Sequence, residues 1–276
     1  MRLIMSLMVL CVLVARGNTI TTKDIFILAG QSNMAGRGGV FNGKWDGDVP
    51  VECKPSPSVL RLSANLKWEE AREPLHEDID VEKTCGVGPG LAFANEVVRM
   101  HGGGGGGGGG CVVGLVPCAV GGTRIEEWRK GAPLYNQLVN RSIESVRDGG
   151  GVIRALVWYQ GESDTVREED AEKYKSRIEN FVKDFRSDLQ LPTLLIIQVA
   201  LASGEGTFIN KVRHAQFHIK LPNVISVDAK GLRLKADNLH LTTIAEVHLG
   251  IRLARAYLAS VNHHFNYTQV NYTQVS

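Results

Sequence analysis

Apolar residues fall along this 276-residue chain in two rhythms. Short unbroken runs near residues 25–29, 111–116, 153–159, 193–199 and 224–227 lack polar alternation, as strands buried on both faces of a parallel sheet do. Between the runs, apolar positions recur three and four apart. That spacing predicts helices over Pro89–His101, Pro133–Arg147, Glu168–Leu189, Phe208–Lys220 and Thr243–Ser260. Tyr174, Ile178, Phe181 and Phe185 form the clearest stripe, which reads as core packing. Thr243 and Glu246 fit a capping box, with Ile244, Val247, Ile251, Ala254 and Leu258 at helical spacing behind it. Strands alternating with helices predict an α/β fold, a three-layer α/β/α sandwich around a central, mostly parallel five-stranded sheet.

The first run, Ile25 to Ala29, stops abruptly in Gly30-Gln31-Ser32-Asn33, with Gly36 close behind. A small-residue turn after a buried parallel strand lifts its side chains into the crevice at the carboxyl edge of the sheet, where open α/β folds place their chemistry. Ser32 is therefore a candidate nucleophile, against the plainer reading of a serine N-cap. A serine hydroxyl needs an imidazole to take its proton and a carboxylate to set the imidazole's tautomer. Asp237-Asn-Leu-His240, in the loop before the last helix, supplies both. Gly121-Gly-Thr-Arg-Ile-Glu-Glu-Trp128 and Trp158-Tyr-Gln-Gly-Glu-Ser-Asp164 follow two further strands and end at the same edge. A glycine N–H and a side-chain amide suit an oxyanion hole, and Gly122 and Gln160 are the candidates.

These four ordered blocks resemble the SGNH (GDSL-like) hydrolases, a flavodoxin-like α/β superfamily. Within it the chain is most like the sialate O-acetylesterase-like branch and plant carbohydrate esterases related to carbohydrate esterase family 6. The resemblance covers roughly residues 24 to 260. It implies Ser32 as nucleophile, His240 as base, Asp237 as orienting acid, and the Ser32 and Gly122 N–H groups with the Gln160 amide as oxyanion donors. Gln31 and Gln160 stand where many superfamily members carry Asp and Asn, and both match the branch. The implied activity is a serine esterase that removes O-acetyl groups from carbohydrate through an acyl-enzyme. A binding protein on the same fold with its chemistry lost, and a lipase or thioesterase, are the alternatives.

Glu162 and Asp164 could suggest a glycoside hydrolase, but acids two apart in one loop seldom straddle a sugar. A hydrogen-bond network that ties their loop to the Ser32 turn through Gln31, Asn33 and Glu162 fits better, with Asp164 or Thr165 capping the next helix. The histidines outside the triad show no defensible metal-ligand spacing, so neither a metal nor a cofactor is predicted. A net charge of +2, with Lys and Arg interspersed among Asp and Glu, gives no reason to expect nucleic acid.

Arg2, the apolar run Leu3–Val14 and the small residues Ala15 and Gly17 predict a secretory signal peptide over residues 1–17, with Ala15 as the alternative cleavage point. The run is too short to span a membrane, and no membrane partner is expected after cleavage. The expected location is extracellular, in cell wall or apoplast. Sequons at Asn140, Asn266 and Asn271 are then glycosylation candidates. Cys53 and Cys85 flank a long insertion and are paired as a disulfide. Cys111 and Cys118 are about 23 Å apart if extended, too far to bridge, although another oxidised arrangement stays open. The glycine run Gly102–Gly110 reads as a loop expansion, and residues 261–276, with Asn-Tyr-Thr-Gln-Val repeated in tandem, as a disordered tail.

Overall fold

A computed structural model describes residues 22–102, 112–147 and 150–272, with side chains up to Val261. The predicted signal peptide, the glycine run after Gly102 and Cys111 lie outside the described residues. In chain order the elements are strand β1 (Lys23–Gly30), the short helix α1 (Ser32–Ala35), a hairpin of β2 (Val40–Phe41) and β3 (Lys44–Trp45), then β4 (Val59–Leu62), β5 (Trp68–Glu70) and α2 (Pro89–Gly102). There follow β6 (Val112–Pro117), α3 (Pro133–Glu144), β7 (Gly151–Tyr159), α4 (Glu168–Asp188), β8 (Leu195–Ala200), α5 (Ile209–Phe217), β9 (Val224–Asp228) and α6 (Thr243–Tyr272).

The sheet has seven strands in the order β5-β4-β6-β1-β7-β8-β9, two more than expected. All the pairings are parallel except that of β5 with β4. The five predicted strands form its unbroken centre and far edge. The additional pair has no apolar signature because β4 carries a charge: Arg61 is buried and donates to Glu69 at 2.8 Å, Leu75 O at 2.7 Å and Asp78 at 2.6 Å. A strand that buries a guanidinium with all its partners does not look apolar in sequence. The order reverses about β1, which sits between β6 and β7, so the carboxyl end of β1 opens at a topological switch point.

Helices cover both faces. On one, Phe26 of β1 meets Phe93 of α2 and Tyr257 of α6 edge to face, with ring centroids 4.9 and 4.8 Å away. Gly250 lets α6 approach α2 closely, since a Cβ there would lie 2.4 Å from Pro89 O. On the other face Trp158 of β7 packs against Phe181 of α4 at 4.6 Å and Trp128 at 5.2 Å. Each such ring, removed from water, contributes about 1.5–3 kcal/mol. The stripe read from sequence is core: Tyr174, Ile178, Phe181 and Phe185 are all buried.

Three expectations are corrected here. Cys53 and Cys85 are free thiols. Cys85 Sγ accepts from Arg37 Nη1 at 3.5 Å and faces His76 O at 3.6 Å, while the turn at Cys53 is tied to α2 by Asn95, which donates to Glu52 O and Lys54 O at 2.8 and 3.0 Å. Polar contacts therefore anchor the insertion in place of a cross-link. Next, α6 does not stop at Ser260 but continues to Tyr272, since no Gly or Pro interrupts the chain beyond Ser260. The side chains of Asn266 and Asn271 lie outside the described ones; Asn140 is exposed on α3. Finally, the capping box does not form: Thr242 Oγ1 accepts from Ala245 N at 3.4 Å, and Glu246 turns into the interior, fully buried, while Ile244 points to solvent.

Candidate active site

The end of β1 is shaped by close backbone approach. Gly30 has φ +132°, and a Cβ there would fall 2.0 Å from Tyr159 O on β7, so no other residue fits. Gln31 N then donates to Tyr159 O at 2.8 Å, and the chain turns into α1 with Ser32 in its first turn. Gln31, not Ser32, occupies the N-cap position. Gly36 ends the turn at φ +94° against the backbone of Gly86 and Gly88, which stitches the long insertion to the serine turn.

The loop before α6 brings its two candidates to the same place. His240 Nε2 lies 3.0 Å from Ser32 Oγ, and His240 Nδ1 lies 2.9 Å from Asp237 Oδ2. Asp237 Oδ1 meanwhile accepts the N–H groups of Leu239 and His240 at 3.0 and 2.9 Å, an Asx-type turn that locks the three-residue spacing. Desolvation pushes the Asp237 carboxyl up, but the His240 backbone N–H, the His240 ring and the Leu239 N–H together hold it below the usual carboxylate range. His240 is also shifted down, by burial first and by the cations Arg37 and Lys235, with Asp237 opposing. The result is a neutral imidazole facing a hydroxyl, with an ionised carboxylate behind it.

Asn33 joins the two halves. Its Nδ2 donates to Glu162 Oε1 at 2.8 Å and to Leu239 O at 3.4 Å, and its Oδ1 accepts from Leu241 N at 3.0 Å. Gln31 does the same for the loop after β7: its Oε1 accepts from Gly161 N at 3.2 Å and Ser163 N at 3.4 Å, and its Nε2 donates to Ser163 Oγ at 3.3 Å. Glu162 is fully buried, one oxygen on Asn33 and the other without a partner. Desolvation pushes its carboxyl up to about 7, partly offset by the Asn33 bond.

The turn after β6 lies against the serine. A Cβ on Gly121 would be 3.5 Å from Ser32 Cβ, and Gly122, exposed at φ +74°, has no acceptor for its N–H among the described residues. Ser32 N–H is likewise uncommitted. Gln160 is different. It is fully buried, and its Nε2 donates to Asp164 Oδ2 at 2.6 Å, Thr123 O at 2.8 Å and Gln31 Oε1 at 3.3 Å. An amide has two hydrogens, so none is left for an oxyanion. Gln160 braces the wall behind the turn, which corrects the role expected of it. Asp164 also turns inward, accepting from Ile125 N at 3.0 Å; α4 begins instead after Arg167, so neither Asp164 nor Thr165 caps it.

Three contributors are invisible in the motifs. Arg37 and Asp80 form a buried ion pair beside Gly121. Lys235 reaches from the His240 loop to Arg37 O at 3.2 Å and to Val40 O. Basic residues in two loops and an acid in the long insertion before α2 carry no pattern that would single them out.

The family model described as carbohydrate esterase, sialic acid-specific acetylesterase, matches residues 22–259. Over 247 residues the chain is 56% identical to the probable carbohydrate esterase At4g34215 of Arabidopsis thaliana, covering 87% of this chain and 92% of the relative. The X-ray structure of that Arabidopsis protein superposes with a TM-score of 0.81, covering 86% of this chain and 98% of the other. The crystal structure of NanS, 17% identical, shares the fold at a TM-score of 0.68, covering 88% of this chain and 98% of that one.

Glu162 generates a stability prediction. It binds its proton more tightly folded than unfolded, so its contribution is complete below the usual carboxylate range and is lost as pH rises through about 7. Glu162→Gln cannot ionise and keeps an oxygen for Asn33. Thermal melts of this variant should fall less steeply than wild type between about pH 4.5 and pH 7, the window its unfolded and folded values bracket. Parallel slopes would show that Glu162 stays ionised in the folded protein.

Proposed function

The chain belongs to the sialic acid-specific acetylesterase family of carbohydrate esterases, and from that footing we propose that Ser32, His240 and Asp237 hydrolyse O-acetyl esters of carbohydrate as a triad. One observation carries the reading: a single imidazole is hydrogen-bonded to a serine hydroxyl on one nitrogen and to a carboxylate on the other. Ser32 Oγ attacks the acetyl carbonyl as its proton passes to His240 Nε2. Negative charge then gathers on the carbonyl oxygen, where the uncommitted N–H groups of Ser32 and Gly122 would receive it. Collapse breaks the bond to the sugar oxygen, which takes the proton from His240. Water, deprotonated by the same imidazole, attacks the acetyl-serine and releases acetate.

Asp237 stays ionised throughout and balances the imidazolium. The pH dependence follows from the base. Activity is complete while His240 is neutral and is lost as pH falls through its depressed value, so kcat/KM should hold at neutral pH and bend only below the ordinary histidine range.

Secretion belongs to the same proposal, supported by the leading apolar segment and the sequons. Protein recovered from its native tissue should start near Asn18; an intact Met1 would refute secretion.

The chemistry is tested by substitution. Ser32→Ala and His240→Ala should each lower kcat on 4-nitrophenyl acetate by about 10⁴-fold or more, Asp237→Asn by about as much, and the Ser32/His240 double variant hardly further. Melting temperatures should change little, because the contacts touched are confined to the short α1 and the loop before α6, and Asp237→Asn keeps an oxygen for the Leu239 and His240 N–H groups. Acetate should be released from acetylated polysaccharide, and 4-nitrophenyl octanoate should be a poorer substrate than the acetate. Near-wild-type turnover by folded Ser32→Ala would end the triad reading, and a preference for octanoate would end the acetylesterase reading.

A further inference from the structure

Asp80 comes from the long insertion between β5 and α2, yet it ends up beneath the Gly121–Gly122 turn. It is buried, 1% exposed, and its Oδ2 accepts both the Gly121 N–H, at 3.2 Å, and Arg37 Nη2. Arg37, 5% exposed, starts five residues after Ser32 and donates from Nη1 to Gly36 O at 2.9 Å, at the end of the serine turn. A Cβ on Gly121 would lie 2.6 Å from Arg37 Nη2 and 3.5 Å from Ser32 Cβ. The serine, the glycine turn and the guanidinium are thus packed in one contiguous stack, closed underneath by one carboxylate.

The rest of the turn is held elsewhere. Val120 N donates to Gly30 O at 3.0 Å, Thr123 Oγ1 to Val120 O at 2.9 Å, and Thr123 O accepts from Gln160. Asp80 is the side chain that accepts the Gly121 N–H, while Thr123 Oγ1 holds the carbonyl of the same peptide, and the next N–H along is that of Gly122. A buried ion pair is weak evidence of a stabilising role, because desolvation offsets much of its attraction. Its geometry here serves position: one oxygen binds the turn and the arginine that is tied to the serine helix.

Building on the triad reading above, we propose that Asp80, oriented by Arg37, is a positioning residue for the oxyanion hole, setting the Gly122 N–H against the Ser32 N–H. Displacement of a catalytic group by about 1 Å can cost around 10²-fold in rate, so a loosened Gly121 peptide would show in kcat. The pair would leave substrate binding in the ground state almost untouched, since the carbonyl oxygen draws its full hydrogen bonds only as it becomes an anion.

Two variants of the full chain test this. Asp80→Asn keeps an oxygen for Gly121 N–H but strips the charge that orients Arg37. Arg37→Met combined with Asp80→Leu removes both charges and the acceptor while filling the space with apolar atoms, an exchange that buried ion pairs tolerate. For each, kcat and KM are measured on 4-nitrophenyl acetate, together with the inhibition constant of phenylboronic acid, whose serine adduct is tetrahedral. In the folded double variant kcat should fall about 10²-fold, KM should stay within about twofold, and boronate affinity should weaken in step with kcat/KM. Asp80→Asn should be intermediate. Wild-type kcat, a loss confined to KM, or a lowered kcat with boronate affinity intact would each overturn the proposal; if the double variant does not fold, Asp80→Asn decides by the same criteria. Ser32→Ala run alongside separates the two levels. An active Ser32→Ala removes the triad reading itself, whereas an inactive one beside a fully active Asp80 variant removes only this inference.

Discussion

A single side-chain amide links the pieces of this site. Asn33 Nδ2 and Oδ1 hold Leu239 O and Leu241 N, the two peptides that flank His240, while the same Nδ2 is anchored on Glu162. The residues so joined lie 129 and more than 200 positions apart in sequence. Hydroxyl and imidazole must meet within hydrogen-bond reach before either is useful, and a rigid sheet edge alone does not fix the height of a loop that arrives from β9. By gripping both sides of His240 from the residue next to Ser32, Asn33 turns that distance into a local matter. The grip needs a fixed anchor, and a buried carboxyl with few other partners provides it.

Around this clasp the structure removes freedom wherever Ser32, His240 and Asp237 sit. Gly30 presses the strand end against Tyr159 O, Gly36 presses the serine turn against the insertion, and the Asx-type turn at Asp237 fixes the spacing to His240. The insertion that looks like decoration in sequence is therefore part of the site's frame. It brings the backbone of Gly86 and Gly88, and Asp80, up to the serine, without a disulfide to stiffen it.

The parts of this architecture that were legible in sequence are those whose signal is local. Strand runs, the small-residue turn at Ser32 and the Asp237–His240 spacing each follow from neighbours along the chain, and the structure places Ser32, His240 and Asp237 in one hydrogen-bonded line. Long-range compensation hid the rest. β4 has no apolar signature because Arg61 takes its counter-charges and a carbonyl from later in the chain; Glu246 has the spacing of a cap, but its burial is a tertiary fact. Gln160 was assigned by motif to the cleft, whereas Asp164, Thr123 and Gln31 consume its amide behind it. Arg37 and Asp80 carry no motif at all. Their meaning arises only when the insertion folds back onto the turn after β6.

A nucleophilic Ser32 must carry the acyl group in mid-reaction, and that covalent intermediate can be trapped. The wild-type chain is mixed with an acetylated substrate, quenched in acid within the first turnovers, digested and mapped by mass spectrometry. One acetyl group is expected on the peptide carrying Ser32, accumulating before steady state and absent from Ser32→Ala. Acetate released without any acetylated Ser32 peptide, or acetyl found on another residue with Ser32 unmodified, would contradict it.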